Sequence, residues 1–232
     1  MNIAVLLYFF PISASGPVEK PNAFVDDKLS GGLTLESLIE GVGRVSLGLI
    51  FIVSLQAIAD DLIKNEGTWS FLKPPLSRVS LYLNFSGYTH IALGSGLLFG
   101  FKLTENFNYP FLARDLPDFW RRWHVSLMNF ANENIYFPLF KRFKGKLLAP
   151  IIGTFLFVGL WHGLSFPFLF SGLSHGLALY GSMRLSHMIS QRKSHGLFST
   201  MQFLHRIATL YYVSIVWYLT VYILPQLGAQ HV

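Results

Sequence analysis

Two tryptophan–histidine pairs hold the chemistry open to this sequence. Residues 118–126 read DFWRRWHVS, and residues 159–163 read GLWHG. The second pair lies inside residues 147–183, a run of 37 positions without Asp, Glu, Lys or Arg. An imidazole in such a run is costly to hold unless it has a role or a set of partners. His162 lies 15 residues beyond Leu147, about 22 Å along a straight helix. A neutral imidazole at that depth can take a proton from a hydroxyl where water is excluded. A histidine packed among helices, its ring nitrogens satisfied by neighbours, fits the same position. His124 sits beside Asp118, Arg121 and Arg122 on a basic segment. A solvated interfacial histidine fits there, with Trp120 and Trp123 as headgroup-level anchors.

Other chemistries are poorly served. The chain has no cysteine, which excludes disulfide frameworks and thiolate metal sites. A catalytic zinc usually takes three protein ligands. His175 follows His162 by 13 residues, and Asp118 and Glu133 flank His124, but no H-E-x-x-H or similar close pairing occurs. No metal is expected. Neither G-x-x-x-x-G-K-[ST] nor G-x-G-x-x-G is present, so the usual nucleotide loops are missing.

The elements that must position these residues follow from composition. Of 232 residues, 52% are hydrophobic and 13% charged, and the mean hydropathy is +0.44. That charged share is about half the soluble norm and cannot cover a water-facing surface. The formal charge of +6 fits a membrane protein with basic cytoplasmic loops, so no nucleic-acid partner is expected.

A span needs about 20 apolar residues. Residues 1–18 are charge-free but shortened by Pro11 and Gly16-Pro17. They lack the basic start and cleavage site of a signal peptide and look like the tail of a longer membrane helix. Residues 79–101 make a span of 23, residues 147–183 a hairpin breaking near Gly163, Pro167 or Gly172, and residues 207–232 a span ending near Pro225. Residues 45–59, only 15 long between Arg44 and Asp60, suit a tilted, partly buried or interfacial helix. Residues 102–146 hold eight of the 18 Lys and Arg residues and are expected in the cytoplasm. The basic stretch 184–206, with Arg192-Lys193 in its middle, requires an even number of crossings in between, which the hairpin supplies. Residues 64–78 then fall outside despite three basic residues. The whole chain, 1–232, reads as a single membrane domain.

At the two histidine motifs the sequence resembles the membrane-bound O-acyltransferase (MBOAT) family. It is most similar to the bacterial branch of alginate O-acetylation and teichoic-acid D-alanyl transfer proteins. LNFSGYTHIALGSGLLFGF at 83–101 and TENFNYPFLARDLPDFWRRWH at 104–124 carry the likeness, with FFPISASGPVEKPNAF at 9–24, GLIFIVSLQAIADDL at 48–62 and LFSGLSHGLAL at 169–179. It covers roughly residues 8–183, the C-terminal portion of such a fold. The resemblance implies an all-α, multi-helix integral membrane bundle with tilted or re-entrant helices around a tunnel, in the bacterial cytoplasmic (inner) membrane. It implies transfer of an acyl group, acetyl in the first instance, from an acyl-CoA or acyl-carrier-protein thioester to a hydroxyl of a cell-envelope polysaccharide. A separate periplasmic acyl-transfer partner sometimes completes the route. On this likeness His162 is the catalytic histidine, and His124 a second active-site position held by asparagine in many animal relatives. Arg121 and Arg122 lie where an anionic donor would arrive from the cytoplasm.

The sequence departs from the branch in length, in FANEN at 130–134 where W-x-R-D-Y is common, and at His90 where aspartate is frequent. Two rival readings follow. One is a truncated, inactive relative serving as a membrane interaction subunit. The other is a transporter with proton-relaying histidines, although the paired halves usual for transporters are absent from the sequence.

Overall fold

The computed structural model describes residues 16–20, 33–190 and 198–229, and among these the chain is helical, with no β-strand. Helices α1 (Leu35–Ile50) and α2 (Ala57–Lys64) are joined by a π turn, Phe51–Gln56. Then come α3 (Lys73–Leu98), α4 (Leu116–Arg122) and α5 (Val125–Ala131). A second π turn, Asn132–Tyr136, leads into α6 (Phe137–Arg142). The chain continues through α7 (Leu148–His162), α8 (Phe166–Ser190) and α9 (Phe198–Tyr218). A third π turn, Leu219–Ile223, precedes α10 (Leu224–Ala229). Two compact units emerge. Of the described residues, the first comprises those up to Trp69 with Val79–Asn108 and His124–Leu127; the second comprises Ser70–Arg78, Tyr109–Trp123 and those from Met128 onward.

In the first unit, Thr34 starts α1 with a capping box. Its hydroxyl accepts the Ser37 N–H at 3.1 Å, and the Thr34 N–H donates to the Ser37 hydroxyl at 3.0 Å. Two donors that the helix start leaves orphaned are thereby satisfied. From there Leu35–Lys64 runs as one element, long and apolar enough to cross a membrane. Only 11% of its most apolar window is buried, so it is not the core helix of a water-soluble fold. Leu35, Ile39, Val42, Val53 and Ile58 are exposed along it, whereas Ser37, Gly41 and Gly48 are buried.

Arg44 and Asp60 do not delimit this helix, contrary to the short tilted segment expected at 45–59. The helix passes through both because each charge has a partner. Arg44 pairs with Glu40 at 2.9 Å and with Glu105 at 2.7 Å. Asp60 accepts the Ser80 hydroxyl at 2.5 Å.

Helix α3 packs on α1 in antiparallel order, with Gly41 against Gly94 and Gly48 against Gly87. A Cβ on Gly41 would lie 3.0 Å from the Gly94 carbonyl oxygen, and one on Gly48 2.5 Å from that of Gly87. Backbones approach this closely only over small residues. Asn84 reinforces the pair by donating to the Gln56 side chain at 2.9 Å. The helix begins at Lys73, six residues before the expected span, because Pro74 and Pro75 fall in its first turn, where no N–H is needed. It stops at Leu98 rather than Phe101. Gly100 adopts φ 78°, and the N–H groups of Phe101 and Gly100 return to the carbonyls of Gly96 and Leu97 at 2.8 and 3.0 Å. This Schellman closure ends the helix. With Ser77, Arg78, Ser80, Ser86 and Thr89 buried along its length, α3 has the length of a span but not the uniform apolarity.

In the second unit, α7 and α8 form the expected hairpin. It breaks at Gly163, whose φ of 155° other residues rarely adopt, and Pro167 falls in the first turn of α8. Gly172 lies within α8, where the backbone of Phe155 leaves no room for a Cβ. The C-terminal element Phe203–Gln226 is also long and apolar enough to cross a membrane. As expected it ends near Pro225, one residue beyond it, although helical backbone continues to Ala229. The π turn just before has already interrupted the i→i−4 ladder that proline would break, so α10 accommodates it. Within the described residues these are the two elements meeting that criterion of length and apolarity; α7 is apolar but shorter. Most of the expected span 1–18, and the Arg192-Lys193 pair, lie outside the described residues.

The α1–α3 contact generates a prediction. Gly48→Val should destabilise the detergent-solubilised protein by about 1–3 kcal/mol, the usual cost of overpacking. Gly43→Val, one residue type at a position with nothing within 4 Å, should be close to neutral. Thermal melts of the two variants compare them directly.

Candidate functional site

His124 belongs to the first unit. Its side chain is buried at 4% exposure, and its backbone is left-handed, with φ 48°. The ring meets Phe85 edge-to-face at 4.5 Å between centroids. Its Nδ1 lies 3.3 Å from Asn106 Oδ1, which also accepts the Ser126 hydroxyl at 2.6 Å. The Ser126 oxygen in turn accepts the Val18 N–H at 2.9 Å, so its proton is available to Asn106. Asn106 completes the clamp by accepting the Val125 N–H on its backbone carbonyl at 2.9 Å. Because Oδ1 is an acceptor, the imidazole proton sits on Nδ1, and Nε2 is the ring's acceptor nitrogen. His124 is therefore an oriented, buried histidine, not the solvated interfacial one its sequence surroundings suggest. Asn106 is fully buried and escapes sequence reasoning because it lies 18 residues upstream, with only its place in the TENFNYP stretch as a signal.

His162 belongs to the second unit and is the last residue of α7. Its imidazole is exposed. The ring lies 4.9 Å from that of Trp161 and stacks on Phe168 at 5.7 Å. Among the described residues it makes no hydrogen bond, so neighbouring helices do not satisfy its nitrogens. Trp161, Leu164 and Phe166 around it are also exposed, Leu164 at 91%. The hairpin tip thus presents an imidazole on an apolar surface.

Arg121 and Arg122 converge on one carboxylate. Asp115 caps α4 by accepting the Asp118 N–H at 2.7 Å. Asp118, itself buried, lies 3.0 Å from Arg122 Nε, 3.4 Å from Arg121 Nη2 and 3.7 Å from Arg114 Nε. Its Oδ2 also accepts the Arg114 N–H at 3.0 Å. Burial alone would raise this carboxyl, but the Arg114 N–H and the Arg122 guanidinium outweigh it and hold Asp118 below the usual carboxylate value. The arginines differ in freedom: the Arg121 side chain is 68% exposed and that of Arg122 24%.

The second unit also buries Arg78, which the sequence did not single out. Its guanidinium lies over the rings of Trp123, Trp217 and Phe119 at 5.0, 5.7 and 5.8 Å and donates to the Val213 carbonyl. Of the positions departing from the branch, His90 meets Phe51 edge-to-face at 5.7 Å in the first unit. FANEN runs into the second π turn, where the Asn134 amide donates to the Phe130 carbonyl at 2.8 Å. Among the described residues no three His, Asp or Glu side chains gather in a group able to hold a metal ion.

Comparison with known proteins adds the chemistry of relatives. Residues 2–224 match the family described as MBOAT, membrane-bound O-acyltransferase. The chain is 32% identical over 230 residues to a peptidoglycan O-acetyltransferase of Helicobacter pylori, covering 94% of this chain and 43% of that protein. It is 33% identical over 177 residues to a probable alginate O-acetylase of Pseudomonas putida, covering 72% and 36%. It is 30% identical over 190 residues to a teichoic acid D-alanyltransferase of Bacillus subtilis, covering 71% and 47%. The chain spans less than half the length of each of these relatives.

The Asp118 cluster predicts a pH dependence. A carboxyl held low contributes stability that is complete above its unfolded value and is lost as pH falls through the folded one. The loss should therefore lie below about pH 4. Asp118→Asn should melt lower than the parent at neutral pH and lose less on acidification; melting curves from pH 7 to pH 3 read the difference.

Proposed function

Since the chain belongs to the membrane-bound O-acyltransferase family, we propose that it moves an acyl group from a thioester donor to a hydroxyl on a cell-envelope polymer. The observation that carries this reading is His162: an exposed imidazole, free of hydrogen bonds to described residues, ending an apolar helix within GLWHG. In the proposed step its acceptor nitrogen takes the proton of the attacking hydroxyl as the oxygen bonds to the thioester carbon. The tetrahedral intermediate then collapses, the carbon–sulfur bond breaks, and the imidazolium returns its proton to the leaving thiolate. His124 is the second participant. Its Nδ1–H is committed to Asn106, which supports a role for Nε2 in orienting the polymer by accepting from another of its hydroxyls, the proton of the attacking hydroxyl being His162's. Stabilising a negative oxygen would need a proton on that same nitrogen.

The acyl group is proposed to be acetyl, as the names of the O-acetylating relatives suggest. The donor, acyl-CoA or an acyl-carrier protein, would arrive from the cytoplasmic side of a multi-pass protein in the bacterial inner membrane. A periplasmic partner would carry the group onward where the polymer lies outside. Arg121 is better placed than Arg122 to steer an anionic donor, because Arg122 is the less exposed and the closer to Asp118.

Two experiments test the proposal. His162→Ala should lower the base-labile acyl content of envelope polymers by about 10²-fold or more, with the amount of protein in the membrane unchanged. Transfer retained at more than a few per cent of the parent would remove His162 from the chemistry. A parent chain that inserts but transfers nothing would favour the inactive interaction subunit. In sealed vesicles, membrane-impermeant acetyl-CoA should support transfer only when the cytoplasmic face is outward. There Arg121→Glu should raise the donor KM several-fold at low salt, with the gap closing as salt screens the field. An unchanged donor KM at low salt would exclude steering.

A further inference from the structure

The second unit contains a buried set of polar groups that the proposed reaction does not use. His175, at 5% exposure, faces Trp120 edge-to-face at 4.9 Å and Tyr212 edge-to-face at 5.6 Å. Arg78 is buried as well, at 4% exposure. It is tied to the carbonyl of Val213, the residue after Tyr212. Phe119, one of the rings beneath Arg78, meets Trp120 at 5.5 Å. Three helices and the start of a fourth thus bring four polar side chains together.

Four atoms of this set, Arg78 Nε, Trp120 Nε1, His175 Nδ1 and Tyr212 Oη, are buried and have no hydrogen-bond partner among the described residues. Buried polar atoms are nearly always paired, so four unpaired ones in a single cluster call for a physical cause. Their chemistry has one sign. The Arg78 and Trp120 nitrogens only donate, the tyrosine hydroxyl readily donates, and the imidazole donates in one tautomer. The cation has the same need. Among the described residues Arg78 makes no ion pair, and three aromatic rings offset only part of the cost of burying a guanidinium. An acceptor with negative charge would answer all of these needs at once.

We propose that Arg78, Trp120, His175 and Tyr212 form a buried binding site for a small monovalent anion, a halide or a short carboxylate. The anion accepts from the four donors and serves as the counter-ion of Arg78. The site uses neither His162 nor His124, and it stands whether or not acyl transfer is confirmed.

The test uses the full chain purified in detergent, melted at constant ionic strength with chloride or acetate replacing the bulky gluconate. Either small anion should raise Tm saturably, by about 3 °C or more once the site is filled. A rise with chloride alone identifies a halide site, and a rise with acetate alone a carboxylate site. Trp120→Phe and Tyr212→Phe each remove one donor but keep a ring. They should fold in gluconate and lose most of the anion-dependent rise, whereas a structural role alone would lower Tm equally in every salt. No small-anion dependence in the parent would overturn the proposal and leave water as the acceptor. A dependence undiminished in both variants would overturn it as well, because the anion would then bind elsewhere.

Discussion

Close approach over small residues, with polar links beside it, sets how α1 and α3 meet. The first unit turns leucine, isoleucine and valine outward along α1 and keeps serine and glycine inside. In hydrocarbon no hydrophobic force drives one helix onto another, because lipid is as apolar as leucine. Association then depends on close backbone approach and on hydrogen bonds with no water to compete for them. Gly41 and Gly48 against Gly94 and Gly87 supply the first. Ser80–Asp60 and Asn84–Gln56 supply the second. Each such polar link is worth on the order of 1 kcal/mol, so a few of them set the register that apolar packing leaves open.

The DFWRRWH motif distributes its work by residue. Asp118 gathers the arginines, and Phe119 and Trp123 lie beneath Arg78. Trp120 reaches His175, and His124 turns to Asn106. A motif that reads as aromatic and basic is thus a set of separate attachments. The exposed charge left for a ligand is chiefly that of Arg121 and Arg114, at 68% and 67% side-chain exposure.

Sequence made some of this legible and concealed the rest for a physical reason. The hairpin could be read because its signals are local: a charge-free run, a glycine and a proline within five residues. The end of GLWHG as a helix terminus follows from the same signals. The length of the first helix could not be read, because Arg44 and Asp60 look like barriers until Glu105 and Ser80, distant in sequence, neutralise or satisfy them. Charge counting sees single residues and misses pairs. The same blindness hid Asn106, and with it the tautomer of His124. It also hid Arg78, which counted as one of three basic residues on an outer loop and is instead buried under aromatic rings.

The left-handed backbone at residue 124 acts as a filter on what evolution can place there. A β-branched residue would pay steric strain at φ 48°, whereas histidine, asparagine, aspartate and glycine are the side chains that visit this region most readily. Of those four, glycine has no side chain to meet Asn106, and an ionised aspartate would set its negative charge against the Asn106 oxygen. The two that remain are histidine and asparagine, both able to donate to that oxygen. The alternation between these two residues that the family resemblance implies would then be fixed by the torsion of a single bond before any demand of catalysis is felt.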